Sequence, residues 1–144
     1  MSVEWPSVTV VVTYYNEGEL LHRALRSIFD QDYLGKIDVV VVDDCSEIPC
    51  PRDGIDSEKV RFFRTSTNSY AGAARNFGAR FASGDYLVFL DADDVFLPIR
   101  VKSHIEFFLA HPDAVLVGGP GFLHRDEQVT PFLPLAIEMN APAR

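Results

Sequence analysis

An apolar segment, Tyr86 to Leu90, runs directly into three carboxylates, Asp91, Asp93 and Asp94. Like charges gathered at the end of a hydrophobic strand raise one another's pKa or recruit a cation. Side chains two apart on an extended segment point the same way, so Asp91 and Asp93 are expected to converge on one point. Oxygen-only ligands at that point favour a hard ion, Mg²⁺ or Mn²⁺. The competing reading is an acidic turn that opens a helix ahead of Pro98. The elements that position these residues decide between the two.

Ser7–Thr13 is a β-branched run and reads as a buried strand, as do Ile37–Asp43, the short Val60–Arg64 and Asp85–Leu90. Leu20, Leu21, Ala24, Leu25, Ile28 and Phe29 recur at helical spacing, which predicts an amphipathic helix over Glu19–Asp30. Ala71–Ala82 is alanine-rich and predicted helical, with Gly72 and Gly78 permitting close packing or fraying. Pro98 suits the first turn of a third helix, which runs to Ala110 and is stopped by His111-Pro112. Ala114–Val117 is expected as a fifth strand. Residues 1–5 read as a tail and Phe122–Arg144, with three prolines, as an irregular segment.

Continuous apolar strands alternating with helices predict an α/β fold, a mostly parallel central sheet with helices on both faces, within a single domain over 1–144. Ligands of such sheets bind beyond the carboxyl ends of the strands. Three strand ends carry polar chemistry: Thr13, Tyr15 and Asn16; Asp43 and Asp44; and Asp91, Asp93 and Asp94. Asp44 could accept hydrogen bonds from a base or sugar, Tyr15 could stack on a ring, Thr13 or Asn16 could donate, and Arg75 or Arg80 could meet a phosphate. Each has a structural alternative: the tyrosines as packing aromatics, Asp43 or Asp44 as a turn cap, Arg75 as a solvated helix residue.

The remaining composition narrows the function. A net charge of −8 argues against nucleic-acid binding, which needs a basic face. The sequence has neither a P-loop nor a dinucleotide-binding glycine pattern after the first strand, so phosphate would be held by a metal. Cys45 and Cys50 find no second Cys/His pair with zinc spacing and read as ordinary thiols; His111 reads as a helix end. A receiver-like phosphoacceptor would need a lysine after a late strand, and none follows Lys102. No stretch is long enough to span a bilayer and no signal peptide is visible, so a cytoplasmic location is expected, or one at the inner face of a membrane.

Four segments in this order, Val12-Thr-Tyr-Tyr-Asn-Glu, Val41-Val-Asp-Asp-Cys-Ser, Ala74-Arg-Asn-Phe-Gly-Ala and Gly84-Asp-Tyr-Leu-Val-Phe-Leu-Asp-Ala-Asp-Asp, resemble the family 2 glycosyltransferases of GT-A fold. The resemblance covers residues 6–120 and departs mildly at Cys45, where glycine is common in that family. It implies a Rossmann-like GT-A sheet and an inverting, metal-dependent transfer from a nucleotide-sugar donor, usually UDP-linked, as in polysaccharide or cell-envelope glycan synthesis. By position, Thr13 and Tyr15 would line the base pocket, with Asn16 beside them, Asp44 would hydrogen-bond the base, and Arg75 would contact nucleotide or phosphate. Asp91 would lie near the ribose and metal, and Asp93 would ligate a Mn²⁺ or Mg²⁺ that bridges the diphosphate.

Inverting displacement needs a general base, which in the family lies well beyond the Asp-x-Asp motif in an acceptor-binding half. The 50 residues after Asp94 hold Asp113, Asp126, Glu127 and Glu138, none in a recognisable context. The chain is therefore expected to be a donor-binding portion lacking the acceptor half, with saccharide, lipid or protein as the acceptor class. The alternative is a non-catalytic nucleotide-sugar or metal-binding module. Apolar surface near Phe122–Ile137 would then offer a face for a second copy.

Overall fold

The computed structural model describes residues 4–56, 58–125 and 128–132. The chain, read above as one domain, forms two compact units, residues 1–100 and 101–144. The first contains β1 (Val8–Tyr14), α1 (Leu20–Phe29), β2 (Ile37–Asp43), β3 (Val60–Arg64), α2 (Tyr70–Ala79) and β4 (Tyr86–Asp91). Its four strands form one sheet in the order β3-β2-β1-β4, with every adjacent pair parallel. The expected mostly parallel sheet is thus present, with strand boundaries within one residue of those read from the sequence.

The sheet forms because its central strands are valine runs buried on both sides. All seven residues of β1 are buried, and Val39–Val42 of β2 are fully so. Full burial of a valine side chain is worth about 1.5–3 kcal/mol, so these runs dominate the core. In register, Val11 lies beside Val40, while Val10 and Val12 lie beside Val39 and Val41 on the opposite face. α2 covers the first of these faces through Ala74, with Phe63, Phe77 and Phe81 packed at its side and Phe63 stacked on Phe81 at 3.8 Å. α1 turns Leu21, Ala24, Leu25 and Ile28 inward at helical spacing, while Leu20 and Phe29, at the margins of that stripe, are exposed.

Gly78 sets how closely α2 approaches. A β-carbon there would lie 2.5 Å from Val11 Cγ1 and 2.8 Å from Val42 Cγ2. Gly72 meets nothing and has no comparable role in packing. At the other end of the chain, Trp5 packs edge-on against Tyr33 at 5.3 Å, so the segment before β1 is anchored from that residue.

The second unit contains α3, which spans Arg100–Ala110 and begins at the boundary between units, and a two-stranded antiparallel ribbon of β5 (Gly121–Arg125) and β6 (Gln128–Phe132). His111 ends α3 as expected, its N–H donating to Phe107 O at 2.9 Å. Two expectations are corrected. Ala114–Val117 forms no strand; Val115 and Leu116 are 59% and 61% exposed, so this apolar run gains no burial to hold it extended. Residues 122–125 and 128–132, read as irregular, lie in the paired ribbon. Pro131 is tolerated there because both strands of an isolated ribbon are edges. Residues 133–144 lie outside the described residues.

Gly78→Ala should destabilise the chain by about 1–3 kcal/mol, because the methyl must displace two immobile valines. Urea denaturation checks this; Gly72→Ala, in open space, should not lower stability.

Candidate functional site

The loops that leave β1, β2 and β4 emerge at the same, carboxyl end of the sheet because the strands are parallel and in register. Thr13, next to last in β1, lies beside Asp91, the last residue of β4. Its hydroxyl donates to Asp91 Oδ1 at 2.7 Å. Arg75, on the face of α2, donates from Nη2 to Oδ1 and Oδ2 of the same carboxylate at 2.6 and 2.7 Å. Both partners are more than a third exposed, so the pair contributes little to stability. Its effect is to fix the direction of the Asp91 carboxylate and of the guanidinium. Arg75 Nε is buried and without a hydrogen-bond partner among the described residues. Arg80, by contrast, is exposed at the C-cap of α2, remote from this network.

Asp44, just after β2, sits at the start of α2. Oδ1 accepts from the Thr65 hydroxyl at 2.8 Å and from the Ser69 hydroxyl at 2.7 Å, and the Ser69 N–H reaches both oxygens at 3.0 Å. Burial pushes the Asp44 pKa up, but these donors outweigh it and hold the carboxyl below its ordinary value. Asp43 is structural: it accepts from the N–H groups of Ser46 and Cys50 and pairs with Arg64 at 2.7 Å, closing the loop after β2.

Asn16 has a left-handed backbone, φ 64°, and its amide oxygen accepts from Glu47 N–H at 2.9 Å while its own N–H donates to Ser46 Oγ. It ties the loop after β1 to the loop after β2. Tyr15 is 43% exposed, so its ring is available at the surface rather than spent on packing. Its N–H donates to a Glu17 carboxylate oxygen.

The acidic cluster differs from the extended pair expected. β4 ends at Asp91 and the chain turns at once: Ala92 is fully buried and Asp94 N–H donates to Asp91 O at 3.0 Å. Alternation therefore does not carry Asp93 onto the side of Asp91. Asp93 and Asp94 are exposed. Instead a fourth carboxylate, Glu17 from the loop after β1, joins them. Its pKa is raised first by burial, then by repulsion from Asp93 and Asp91. Asp94, although exposed as a residue, is raised by partial desolvation of its carboxyl and then by Asp93 and Asp91, with Arg75 only partly offsetting. No group of three or more His, Cys, Asp or Glu among the described residues is arranged to hold a metal ion by itself.

The sequence profile described as glycosyl transferase family 2 matches residues 9–131. This chain belongs to that family. It is 38% identical over 103 residues to the succinoglycan biosynthesis protein ExoO of Rhizobium meliloti, a match covering 70% of this chain and 29% of that protein. It is 29% identical over 126 residues to the putative teichuronic acid biosynthesis glycosyltransferase TuaG of Bacillus subtilis, covering 84% and 49%. Among solved structures, it is similar to S. aureus TarS 1–349 in complex with UDP, with TM-score 0.61 and 28% identity, covering 74% of this chain and 33% of that one. It is also similar to the mannosyltransferase PcManGT of Pyrobaculum calidifontis in complex with GDP-Man and Mn²⁺, with TM-score 0.61 and 30% identity over 82% of this chain and 35% of that one. The chain spans less than half the length of each of these relatives.

Family membership accounts for one local detail. Cys45, at the position where the resemblance marks glycine as common, has φ 58°, in the left-handed region that glycine enters without cost. Of the carboxylates considered as a general base, Asp113 lies in the exposed turn after α3; Asp126, Glu127 and Glu138 lie outside the described residues. The residues sequence reasoning passed over are Glu17, Thr65 and Ser69. Glu17 follows Asn16 within the first family segment and could have been found as the first carboxylate after β1.

Glu17→Gln should test the crowding of charge. A raised folded-state pKa means that the folded protein binds more protons than the unfolded chain above Glu17's ordinary value, so stability falls as pH rises through that window. At pH 7 the full penalty is present. The substitution should raise Tm by about 1–2 °C at pH 7 and by nothing near pH 4, as read by thermal melts at both pH values.

Proposed function

We propose that this chain binds the donor of a glycosyltransferase reaction, a nucleoside-diphosphate sugar with UDP as the preferred nucleotide, and transfers its sugar with inversion to a saccharide, lipid or protein acceptor. The observation that carries the reading is the Thr13–Asp91–Arg75 network, set at the carboxyl end of the sheet one strand away from the Asp44 anchor. TarS and PcManGT were solved with UDP and GDP-Man, which supports a nucleotide-sugar donor here. ExoO and TuaG are named for polysaccharide synthesis, which supports an envelope or exopolysaccharide product.

In this reading Asp44 accepts the base N–H, in competition with Ser69 and Thr65, and the exposed Tyr15 ring lies along the base. Asn16 holds the loop that presents Tyr15. Asp91, aimed by Thr13 and Arg75, takes the ribose hydroxyls. The unpartnered Arg75 Nε–H is satisfied by a phosphate oxygen, which a buried donor needs.

A divalent ion fits the donor set. Asp93 and Asp91 repel both Glu17 and Asp94, and a hard cation would relieve that repulsion. Fewer than three protein ligands suffice for Mn²⁺ or Mg²⁺ when substrate phosphates complete the shell. Asp93, exposed and unbridged by Arg75, is the principal ligand in this reading, with Asp91 beside it. Once bound, the ion offsets charge on the departing diphosphate. The absence of a membrane-crossing helix among the described residues is compatible with a catalytic segment acting at the inner membrane face or free of it.

UDP titration by calorimetry, with and without Mn²⁺, tests the reading. Mn²⁺ should tighten UDP at least tenfold in the parent chain, and Asp93→Ala should erase that gain. Equal affinity in all four titrations would sink the metal bridge, and no UDP binding in any of them would sink the donor site.

A further inference from the structure

Tyr70 is the one residue at the site that neither folding nor the donor network explains. It opens α2 with φ 65°, a left-handed backbone that residues with a β-carbon disfavour. Glycine would hold the same turn without strain. The ring is 80% exposed, so it contributes nothing to the core. A strained conformation maintained around an exposed aromatic points to a role outside packing.

Its place indicates which role. Ser69, its immediate neighbour, grips Asp44 through hydroxyl and N–H at 2.7–3.0 Å. The Tyr70 N–H adds to the donors that hold the Asp44 carboxylate down, and it also donates to Asn68 Oδ1 at 3.1 Å, which closes the turn. Arg75, five residues on, is about 7.5 Å along the helix axis at 1.5 Å per residue. α2 therefore carries Tyr70 beside the anchor read as base-binding and Arg75 beside Asp91. That spacing is comparable to the separation of base and diphosphate in one nucleotide.

We propose that Tyr70 is a donor-binding residue whose ring covers the face of the nucleobase held at Asp44. The assignment rests on the reading of Asp44 as the base anchor. Stacking on aromatic side chains tolerates any base. The ring therefore supplies affinity, while Asp44, as an acceptor, selects a base that presents an N–H.

UDP titration in the presence of Mn²⁺ with Tyr70→Phe, Tyr70→Ala and Tyr70→Gly separates ring from backbone. The expected result is parent-like affinity for Tyr70→Phe and a loss of about tenfold for both Tyr70→Ala and Tyr70→Gly, with Tyr70→Gly melting no lower than the parent. Parent-like affinity in Tyr70→Ala would overturn the assignment, whether or not Tyr70→Gly is weak, since the backbone turn and not the ring would then matter. If the parent chain itself fails to bind UDP, the donor site and this assignment fall together. If it binds and the three variants match it, only the assignment falls.

Discussion

The parallel pairing of β1 with both β2 and β4 is the constraint on which the site depends. β1 is buried along its whole length, so its register cannot slip by one residue without turning the inward valines of one face onto the other. With Thr13 beside Val42 on one side and Asp91 on the other, the strand ends arrive at the same level. The hydroxyl of Thr13 can then reach Asp91, and the loop after β1 can reach the loop after β2 through Asn16 and Ser46. Gly78 completes the placement by letting α2 lie close enough on Val11 and Val42 for Arg75 to meet the same carboxylate.

Within this frame the carboxylates are sorted by their partners. Asp43 is buried and paired with Arg64, which fixes a loop and leaves no capacity for a ligand. Asp44 is buried against neutral donors, two hydroxyls and an N–H, which keep it ionised without cancelling its charge. Asp91 is aimed by a cation and a hydroxyl. Glu17 and Asp94 take the opposite course: desolvation and repulsion from Asp93 and Asp91 oppose their ionisation. A protein that needed only stability would not keep that repulsion, because neutral residues at these positions would remove it. Under the proposed reading, a cation and a diphosphate arriving together would make the same charges favourable.

The parts of the fold that follow from burial were legible in the sequence. Val39–Val42 and Val10–Val12 are apolar without interruption, which only a two-sided buried strand accommodates, and Ile37–Asp43 and Val60–Arg64 are delimited to the residue. The ribbon of β5 and β6 was not legible, because Phe122 and Val129 are exposed and no buried face imposes a period. Of the candidate residues, Thr13, Asp44 and Asp91 are legible as polar strand ends, and Arg75, on α2, is one the structure brings to Asp91. The geometry of Asp91 and Asp93 was misread because alternation holds only while the strand lasts, and it ends at Asp91. Thr65 and Ser69 meet Asp44 across 21 and 25 positions, and Glu17 faces Asp93 from another strand end, meetings that nothing local in the sequence reveals.

Among the described residues three that are not glycine have left-handed backbones, Asn16, Cys45 and Tyr70, and all three lie in the segments that leave the carboxyl ends of β1, β2 and β3. Each conformation costs roughly 1–2 kcal/mol relative to the right-handed region. Each makes a hydrogen bond at its turn, the Tyr70 N–H donating to Asn68 Oδ1 at 3.1 Å. Asn16 accepts from Glu47 N–H, and the Cys45 thiol donates to Ser66 O at 3.6 Å. Such bends turn the chain sharply just after a strand, so that the next side chain stands over the sheet edge rather than running past it. Asparagine tolerates this region better than most residues, and a short thiol adds little bulk, whereas a tyrosine has neither advantage. Residue type therefore relieves the strain least at Tyr70, at the turn where Ser69 meets Asp44.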